Sequence, residues 1–284
     1  MLRAGVVGLG QMGGGAAVCL ARTERPLAVY DVDPQAARRW PDGNLVPPVL
    51  DSCAEVARNA DVVVVLVVDA AQVWSVLRGP DGLLAGAHSG LVVVVASTIA
   101  LTDLAAMRDE AAEAGVVVVD CGVTCPPNEH TRKRIIGMVG AEPEVFERIR
   151  EVLEDFTQCV MHMGGPGAGM ATKVARNMMY YATWLAASEC ALLAEKAGVD
   201  VAKMAQVNKL SEADGSGTTV WLNFWAARGN TPQPGFAAKA DFIKSVMLKD
   251  VGAADAMAAG YGLTLPLIDL MVSSADQIAA PWRR

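Results

Sequence analysis

The chain has 284 residues, of which 52% are hydrophobic and 19% are charged, and its net charge is −7. This length favours two domains, and this composition favours a folded globular chain over a disordered one. The negative charge argues against non-specific nucleic-acid binding, and the longest apolar runs are too short to cross a membrane. Because the chain begins without the basic and apolar regions of a secretory signal, we expect a cytoplasmic protein.

Short Val-rich runs alternate with helical stretches in the first part of the chain. In chain order the runs are AGVVG, LAVYD, DVVVVLVV, LVVVVAS and GVVVVD. This alternation predicts βαβ units and a parallel sheet whose strands are buried on both faces.

From Gly164 onward, stretches rich in Ala, Met and Leu replace the Val-rich runs. They predict helices at 168–197, 200–213 and 240–260, and the two prolines of 228–235 predict a loop. The predicted fold class is therefore α/β, with a Rossmann-type doubly wound parallel sheet followed by an all-α C-terminal domain. We place the dinucleotide-binding domain at residues 1–163 and the helical substrate and oligomerisation domain at residues 164–284.

Six cysteines are scattered along the chain, with none in CxxC spacing. This pattern is typical of buried structural thiols in a reducing compartment. Cys121, Cys125 and His130 lack a fourth ligand and any familiar zinc spacing. We therefore expect neither a disulfide framework nor a metal site.

A glycine motif follows the first predicted strand and opens the first predicted helix. Gly8, Gly10 and Gly13 have GxGxxG spacing within AGVVGLGQMGGG. Such glycines allow a tight turn, close approach of a pyrophosphate and tight helix packing, with the phosphates at the helix N-terminus. The predicted cofactor-binding residues of this turn are Gly8, Leu9, Gly10, Gln11, Met12 and Gly13.

The second predicted strand ends in Asp31, near the spacing of about 20 residues at which a carboxylate binds the adenosine ribose. A carboxylate there binds both ribose hydroxyls and repels a 2′-phosphate, which favours NAD over NADP. Arg38 and Arg39 follow closely and could accept that phosphate, so NADP stays open. Dinucleotide binding alone does not define the reaction, because this fold supports many.

The segment GAGMATKVARNMM places Lys173 and Asn177 four residues apart, on one face of a predicted helix. Burial, the field of the helix N-terminus and a cationic nicotinamide would lower the pKa of the lysine towards the range of a general base. Alternatively, the lysine stem packs while its amine reaches water, and the asparagine bonds a neighbouring helix. The pattern alone leaves both interpretations open.

Four segments together resemble the β-hydroxyacid dehydrogenase family, which includes 3-hydroxyisobutyrate dehydrogenase and is related to 6-phosphogluconate dehydrogenase. They are GVVGLGQMG at 5–13, STI at 97–99, GGPGAGMATKVARNMM at 164–179 and LKD at 248–250. The resemblance spans nearly the whole chain. It implies an NAD-dependent oxidoreductase that acts on the hydroxyl-bearing carbon of a small hydroxy acid. It also implies a homodimer or homotetramer formed through the helical domain.

The resemblance implies roles for individual residues as well. Lys173 would be the catalytic acid/base, and Asn177 would fix its position or that of the substrate hydroxyl. The other implied contacts are Thr98 and Lys249 with both cofactor and substrate, Val67, Val68 and Gln72 along the cofactor cleft, and Thr124 and Cys125 with the substrate.

The segment DCGVTCPPNEH at 120–130 departs from the family pattern of Asp, two residues, Val and Ser-Gly-Gly. Thr124 keeps a hydroxyl, but Cys125 and Pro126 replace both glycines. A proline lacks the backbone N–H that could bind a carboxylate. Either His130 or a residue of 132–134 binds the anion instead, or the substrate differs from the usual small 3-hydroxy acid.

Two other functions stay open at this point. The first is a semialdehyde or imine reductase on the same scaffold, although Asp31 argues against the NADPH preference expected of such an enzyme. The second is a non-catalytic dinucleotide-binding regulator, against which the presence of Lys173 argues.

Overall fold

The computed structural model describes residues 1–126, 129–212 and 236–279. The chain divides into two compact units, Met1–Met178 and Met179–Arg284. The loop predicted at 228–235 lies outside the described residues.

The first unit is built on a seven-stranded sheet with the strand order β2-β1-β3-β4-β5-β6-β7. The strands are β1 (Ala4–Val7), β2 (Leu27–Tyr30), β3 (Val62–Val65), β4 (Val92–Val95), β5 (Val117–Thr124), β6 (Ile135–Gly140) and β7 (Thr157–Gly164). Neighbouring strands from β2 to β5 are parallel, β6 is antiparallel to β5, and β7 is parallel to β6. The predicted Rossmann-type sheet is confirmed, and β6 and β7 extend it beyond the predicted strands.

Helices cover both faces of this sheet. They are α1 (Gln11–Ala21), α2 (Cys53–Asn59), α3 (Ala70–Leu77), α4 (Leu101–Glu113) and α5 (Pro143–Phe156). Short 3₁₀ turns complete the connections. A long helix, α6 (Ala168–Lys196), begins in the first unit and ends in the second.

The valine runs form strands that are buried on both faces because successive side chains point in opposite directions. Val62 and Val64 belong to the core cluster that also contains residues of α1 and α5. Val63 and Val65 belong to the cluster that contains residues of α3 and α4. All four are fully buried, and each such burial is worth about 1.5 kcal/mol or more.

The second unit contains only helices among its described residues. After α6 these are α7 (Val201–Glu212), α8 (Phe236–Gly260), α9 (Pro266–Ser273) and α10 (Ala275–Ala279). The predicted helices at 168–197, 200–213 and 240–260 agree closely with α6, α7 and α8. Among the described residues of this unit, one core cluster contains the buried residues Leu193, Val251, Ala258, Leu265 and Ile268. Within the described parts of the chain, every helix is too short or too polar to span a membrane.

The structure differs from the sequence prediction in two places. The compact units divide at Met178, whereas the predicted domain boundary lies near Gly164, where β7 ends. The difference arises because the first turns of α6 pack against β5 and β6. The expectation of buried thiols is wrong for Cys159 and Cys190, which are exposed. Cys159 lies on β7, one of the two edge strands of the sheet.

Candidate functional site

The glycine turn has the three properties that its spacing predicts. Gly8 has a φ of +88°, and a Cβ there would lie 2.5 Å from the carbonyl oxygen of Leu66. A Cβ at Gly13 would overlap the carbonyl oxygen of Gly8. In contrast, a Cβ at Gly10 would meet no atom within 4 Å. The turn is therefore tight at Gly8, closely packed at Gly13 and open at Gly10.

Helix α1 begins directly after this open position. Gly10 is its N-cap, and no side chain in the described parts of the chain caps it. The first turn, which starts at Gln11, contains no acidic residue. Uncapped N–H groups and the partial positive charge of a helix N-terminus attract phosphate. These features fit the pyrophosphate of a dinucleotide.

Asp31 lies next to this turn and is held by two backbone hydrogen bonds. The N–H of Leu9 donates to Oδ2 at 2.6 Å, and the N–H of Asp33 donates to Oδ1 at 2.9 Å. Trp40, which the sequence did not single out, donates its indole N–H to the Leu9 carbonyl oxygen at 3.2 Å. Its ring also fills the space where a Cβ at Gly14 would lie. The carboxylate is thus fixed beside the glycine turn.

The two arginines that kept NADP open both have partners in the structure. Arg38 donates to the carbonyl oxygen of Gly43 at 2.6 Å, and Arg39 forms an ion pair with Asp33. Each would have to leave its partner to bind a 2′-phosphate.

The loops after β3 and β4 lie beside the glycine turn at the carboxyl edge of the sheet. A Cβ at Gly8 would lie 3.0 Å from the side chain of Val67. The N–H of Val67 donates to Oγ of Ser97 at 3.0 Å, and Thr98 follows as an exposed residue. Val68, which is 80% exposed, donates its N–H to the Gln72 side chain at 3.0 Å. The predicted residues of these loops therefore occur together at one edge of the sheet.

Lys173 is half-buried on α6, and its stem lies against β5. A Cβ at Gly122 would be 2.5 Å from Cβ of Lys173, so only glycine leaves room for this stem. Burial lowers the pKa of the Lys173 amine, and the positive charge of Arg176 lowers it further. The sequence attributed part of this effect to the helix N-terminus, whereas here burial is the largest cause.

Asn177 is also half-buried and lies one turn after Lys173 on the same face of α6. Lys249 lies on α8 in the second unit. Its side chain is 76% exposed, and its Nζ is 3.1 Å from Oδ1 of Asp250. The roles predicted for both residues stay predictions.

The segment at 120–130, which departs from the family pattern, packs through His130 against Trp40 beside the glycine turn. Thr124 ends β5, and Cys125 is half-buried. His130 is only 6% exposed, and its ring meets that of Trp40 edge-on at 4.8 Å between centroids. Burial lowers the pKa of His130, so this residue is poorly suited to bind an anion at the surface.

The basic run after His130 is more accessible. Arg132 is exposed and pairs with Glu129 at 3.2 Å. Arg134 is also exposed, and its charge lowers the pKa of the Cys125 thiol, although burial raises that pKa more strongly. Of the anion-binding residues suggested by the sequence, Arg134 is thus the better placed relative to Cys125.

Asp120 is the principal buried polar residue near Lys173 that sequence reasoning missed. Its carboxylate accepts the N–H of Gly167 at 2.7 Å and that of Met170 at 2.6 Å, at the start of α6. Burial raises its pKa, and these hydrogen bonds oppose the rise. The available signal was its position directly after a run of valines, since an aspartate is rarely buried without a partner.

Comparisons with known proteins agree with this geometry. Residues 3–165 match the family described as the NAD-binding domain of 6-phosphogluconate dehydrogenase. Residues 167–281 match the NAD-binding family of NADP-dependent 3-hydroxyisobutyrate dehydrogenase. These matches define the chain as a nicotinamide-dinucleotide-dependent dehydrogenase in class.

Individual relatives cover almost the full length. An uncharacterised oxidoreductase of Mycobacterium tuberculosis is 31% identical over 94% of this chain and 90% of its own. The 3-hydroxyisobutyrate dehydrogenase of Pseudomonas aeruginosa is 28% identical over 92% of this chain and 87% of its own. The chain belongs to the β-hydroxyacid dehydrogenase family.

Solved structures show the same fold. That of an oxidoreductase from Mycobacterium avium has a TM-score of 0.85 and 29% identity, and the match covers 99% of each chain. An imine reductase from a Pseudomonas species has a TM-score of 0.76 over 99% of this chain and 98% of its own. At 17% identity, this likeness shows the fold alone.

Proposed function

We propose that this protein oxidises the hydroxyl-bearing carbon of a small hydroxy acid with NAD, and that Lys173 is the general acid/base. The observation that carries the proposal is the placement of Lys173. Its stem packs against Gly122 near the carboxyl end of β5, and burial lowers the pKa of its amine. Ligands of open α/β sheets bind outside the carboxyl ends of the strands.

A bound nicotinamide dinucleotide supplies the carbon that accepts a hydride. The residues of the chain bind the substrate, orient it and remove the proton of its hydroxyl. A neutral Lys173 accepts the proton of the substrate hydroxyl, and a lowered pKa increases the neutral fraction near neutral pH. Asn177, one turn further, orients that amine or the hydroxyl, and Thr98 contacts both cofactor and substrate. The role of Lys249 stays the one that the family resemblance implies.

The cofactor preference follows from the contacts around Asp31. Both carboxylate oxygens already accept a backbone N–H, which holds the charge in place beside the glycine turn. A fixed anion binds ribose hydroxyls and repels a 2′-phosphate. Since Arg38 and Arg39 are engaged elsewhere, we favour NAD over NADP.

The substrate is a small anion, and the loop from Thr124 to Pro126 sets its shape. The missing N–H of Pro126 shifts anion binding from loop amides to side chains. The charge of Arg134 reaches Cys125, where it lowers the pKa of the thiol, and so supplies positive charge beside this loop. We therefore favour a substrate that differs from the usual small 3-hydroxy acid.

The assembly we favour is a homodimer or homotetramer formed through the helical domain, in the cytoplasm. Large apolar side chains are exposed on several helices of the C-terminal part, including Met178, Tyr181, Leu185, Leu210 and Leu270. Such exposure is typical of an interface. The functional boundary between the domains falls near Gly164, where the sheet ends.

The decisive experiment measures NAD reduction with a panel of 3-hydroxy acids, hydroxy amino acids and sugar acids. Lys173→Ala should lower kcat by about 100-fold or more for the accepted substrate, as loss of a general base does. Lys203→Ala, which removes an exposed lysine of α7, is the matched control and should leave kcat unchanged. Full turnover by Lys173→Ala would refute the role of this lysine.

The same assay, run with reduced cofactor, separates the remaining functions. Reduction of imines or semialdehydes without oxidation of any hydroxy acid would favour the reductase function. The imine reductase structure has the same fold as this chain. Binding of NAD without any turnover would favour a regulator.

A further inference from the structure

The start of α6 is anchored to the sheet by one fully buried carboxylate. Asp120 has no exposed surface, and its two oxygens accept the N–H groups of Gly167 and Met170. Desolvating a carboxylate is costly unless hydrogen bonds compensate. Its hydrogen bonds with Gly167 and Met170 connect β5 to the start of the helix that carries Lys173.

The space around this carboxylate leaves the helix little freedom. A Cβ at Gly140 would lie 2.6 Å from Oδ1 of Asp120 and 2.7 Å from the backbone nitrogen of Ala168. A Cβ at Gly169 would lie 2.9 Å from Oδ2 and would overlap the carbonyl oxygen of Met138. The backbones of β6 and α6 therefore approach each other directly around Asp120.

The same strand sets the position of Lys173. Asp120 and Gly122 are two residues apart on β5, so their side-chain positions lie on one face of the strand. Asp120 holds the first turn of α6 at Met170, and Gly122 receives the lysine stem one turn later. A displacement of the first turn would move Lys173 along Gly122 because the helix transmits it as a rigid element.

We propose that Asp120 is a positioning residue for the reaction, which acts by fixing the register of α6 so that the Lys173 amine meets the reacting hydroxyl. This proposal rests on the proposed function, in which Lys173 is the general base. Asp120 itself touches neither substrate nor cofactor. Its contribution is to keep the base within the narrow range of positions from which proton transfer is fast.

The test variant is Asp120→Asn, which preserves size but replaces one accepting oxygen by an NH₂ group. One of the two amides then faces a donor instead of an acceptor. We expect kcat to fall by about 10- to 100-fold, as a small misplacement of a catalytic group does, while the Kd for NAD stays within about twofold. An unchanged kcat would overturn the proposal.

A double-mutant cycle shows whether Asp120 acts through the lysine. In the Lys173→Ala background, Asp120→Asn should lower the residual rate by no more than about threefold, since coupled residues are non-additive. An equal loss in both backgrounds would assign Asp120 a general structural role and overturn the proposal. Inactivity of the wild type, or full activity of Lys173→Ala, would instead refute the proposed function.

The matched control is Asp61→Asn. Asp61 accepts the backbone N–H of Arg3 at 2.7 Å and also pairs with its guanidinium, within the same unit. This variant should lower the melting temperature and leave kcat within about twofold. A comparable fall in kcat would show that loss of any such carboxylate slows the enzyme, which would also overturn the proposal.

Amide hydrogen exchange tests the hydrogen bonds of Asp120 without an activity assay. If the variant does not fold, the measurement on the wild-type protein is still informative. The N–H groups of Gly167 and Met170 should exchange as slowly as those of β5. In Asp120→Asn they should exchange at least about 10-fold faster while β5 stays protected. Rapid exchange of both amides in the wild type would overturn the proposal.

Discussion

Two regions depend on glycine for opposite reasons. One is the glycine turn, and the other is the junction where the first turns of α6 pack against β5 and β6. At Gly10 the missing side chain leaves open space beside the N-terminus of α1. At Gly122 and Gly169 the missing side chains let the chain close on Lys173 and on the β6 backbone. The first region is shaped for a ligand to approach, and the second for a helix to pack.

This difference indicates how the two regions respond to change. A side chain added in open space competes with a ligand, whereas one added at a packed contact must displace backbone. Cofactor affinity and protein stability should therefore separate cleanly between the two regions. The predictions that follow test this separation.

The largest expected effect is the destabilisation caused by Gly169→Ala. The new Cβ would overlap the carbonyl oxygen of Met138 and lie 2.7 Å from the backbone nitrogen of Gly140. Neither atom belongs to a flexible side chain, so we expect a loss of about 2–3 kcal/mol in the free energy of unfolding. Urea unfolding measures it. A loss below about 0.5 kcal/mol would mean that the junction is not tightly packed.

Gly10→Ala should have the opposite pattern of effects, with little change in stability and weaker binding of NAD. The backbone of Gly10 has a φ of −63° and a ψ of −162°, which alanine adopts without strain, and its Cβ would meet no protein atom. We expect stability to change by about 0.5 kcal/mol at most, and the Kd for NAD to rise by about 10-fold as the Cβ blocks the pyrophosphate.

Calorimetric titration with NAD measures this effect. Gly252→Ala is the control, because that glycine is exposed on α8 and its Cβ would also lie in open space. Unchanged NAD affinity in Gly10→Ala would place the pyrophosphate elsewhere.

The sequence predicted the first region better than the second. GxGxxG spacing reports local backbone requirements, so Gly8, Gly10 and Gly13 could be interpreted without knowing what packs around them. The run of valines likewise predicted β3 and β4, because strands buried on both faces need no polar alternation. Strands β6 and β7 were missed because IIGMVG and TQCVMHMG are mixed in composition and contain no run of valines.

The junction could not be derived because its contacts join residues far apart in the chain. Asp120 contacts Gly167 and Met170, which lie 47 and 50 residues further along the chain, and nothing local to Asp120 specifies those contacts. The burial of His130 against Trp40 is a contact of the same kind. Residue chemistry suggested an anion-binding histidine, and long-range packing placed it in the interior.

Asp31 allows a finer test within the cofactor region. Asp31→Ala removes the anion that we propose binds the ribose and also frees the N–H of Leu9 in the glycine turn. We expect the preference for NAD over NADP, measured as the ratio of kcat/KM values, to narrow by about fivefold. Asp51→Ala, which removes an exposed carboxylate before α2, should leave the ratio unchanged. A constant ratio in Asp31→Ala would remove Asp31 from cofactor selection.

The smallest effect concerns the electrostatics of the second region. Arg176 lies one turn after Lys173, and its positive charge helps to lower the pKa of the Lys173 amine. Arg176→Gln removes that influence, so the pKa of Lys173 should rise towards its ordinary value. Because the base must be neutral, the limb of the kcat/KM profile that rises with pH should move to higher pH.

The direction in which the pH profile moves shows whether Arg176 acts on the pKa of Lys173 or binds the substrate directly. Below the limb, kcat/KM should fall by about threefold, and above it the wild-type rate should return, because the amine is then neutral in both proteins. Arg58→Gln, an exposed arginine on α2, should leave the profile in place. A limb that moves to lower pH, or a loss that persists at high pH, would mean that Arg176 acts by binding the substrate and not through the charge state of Lys173.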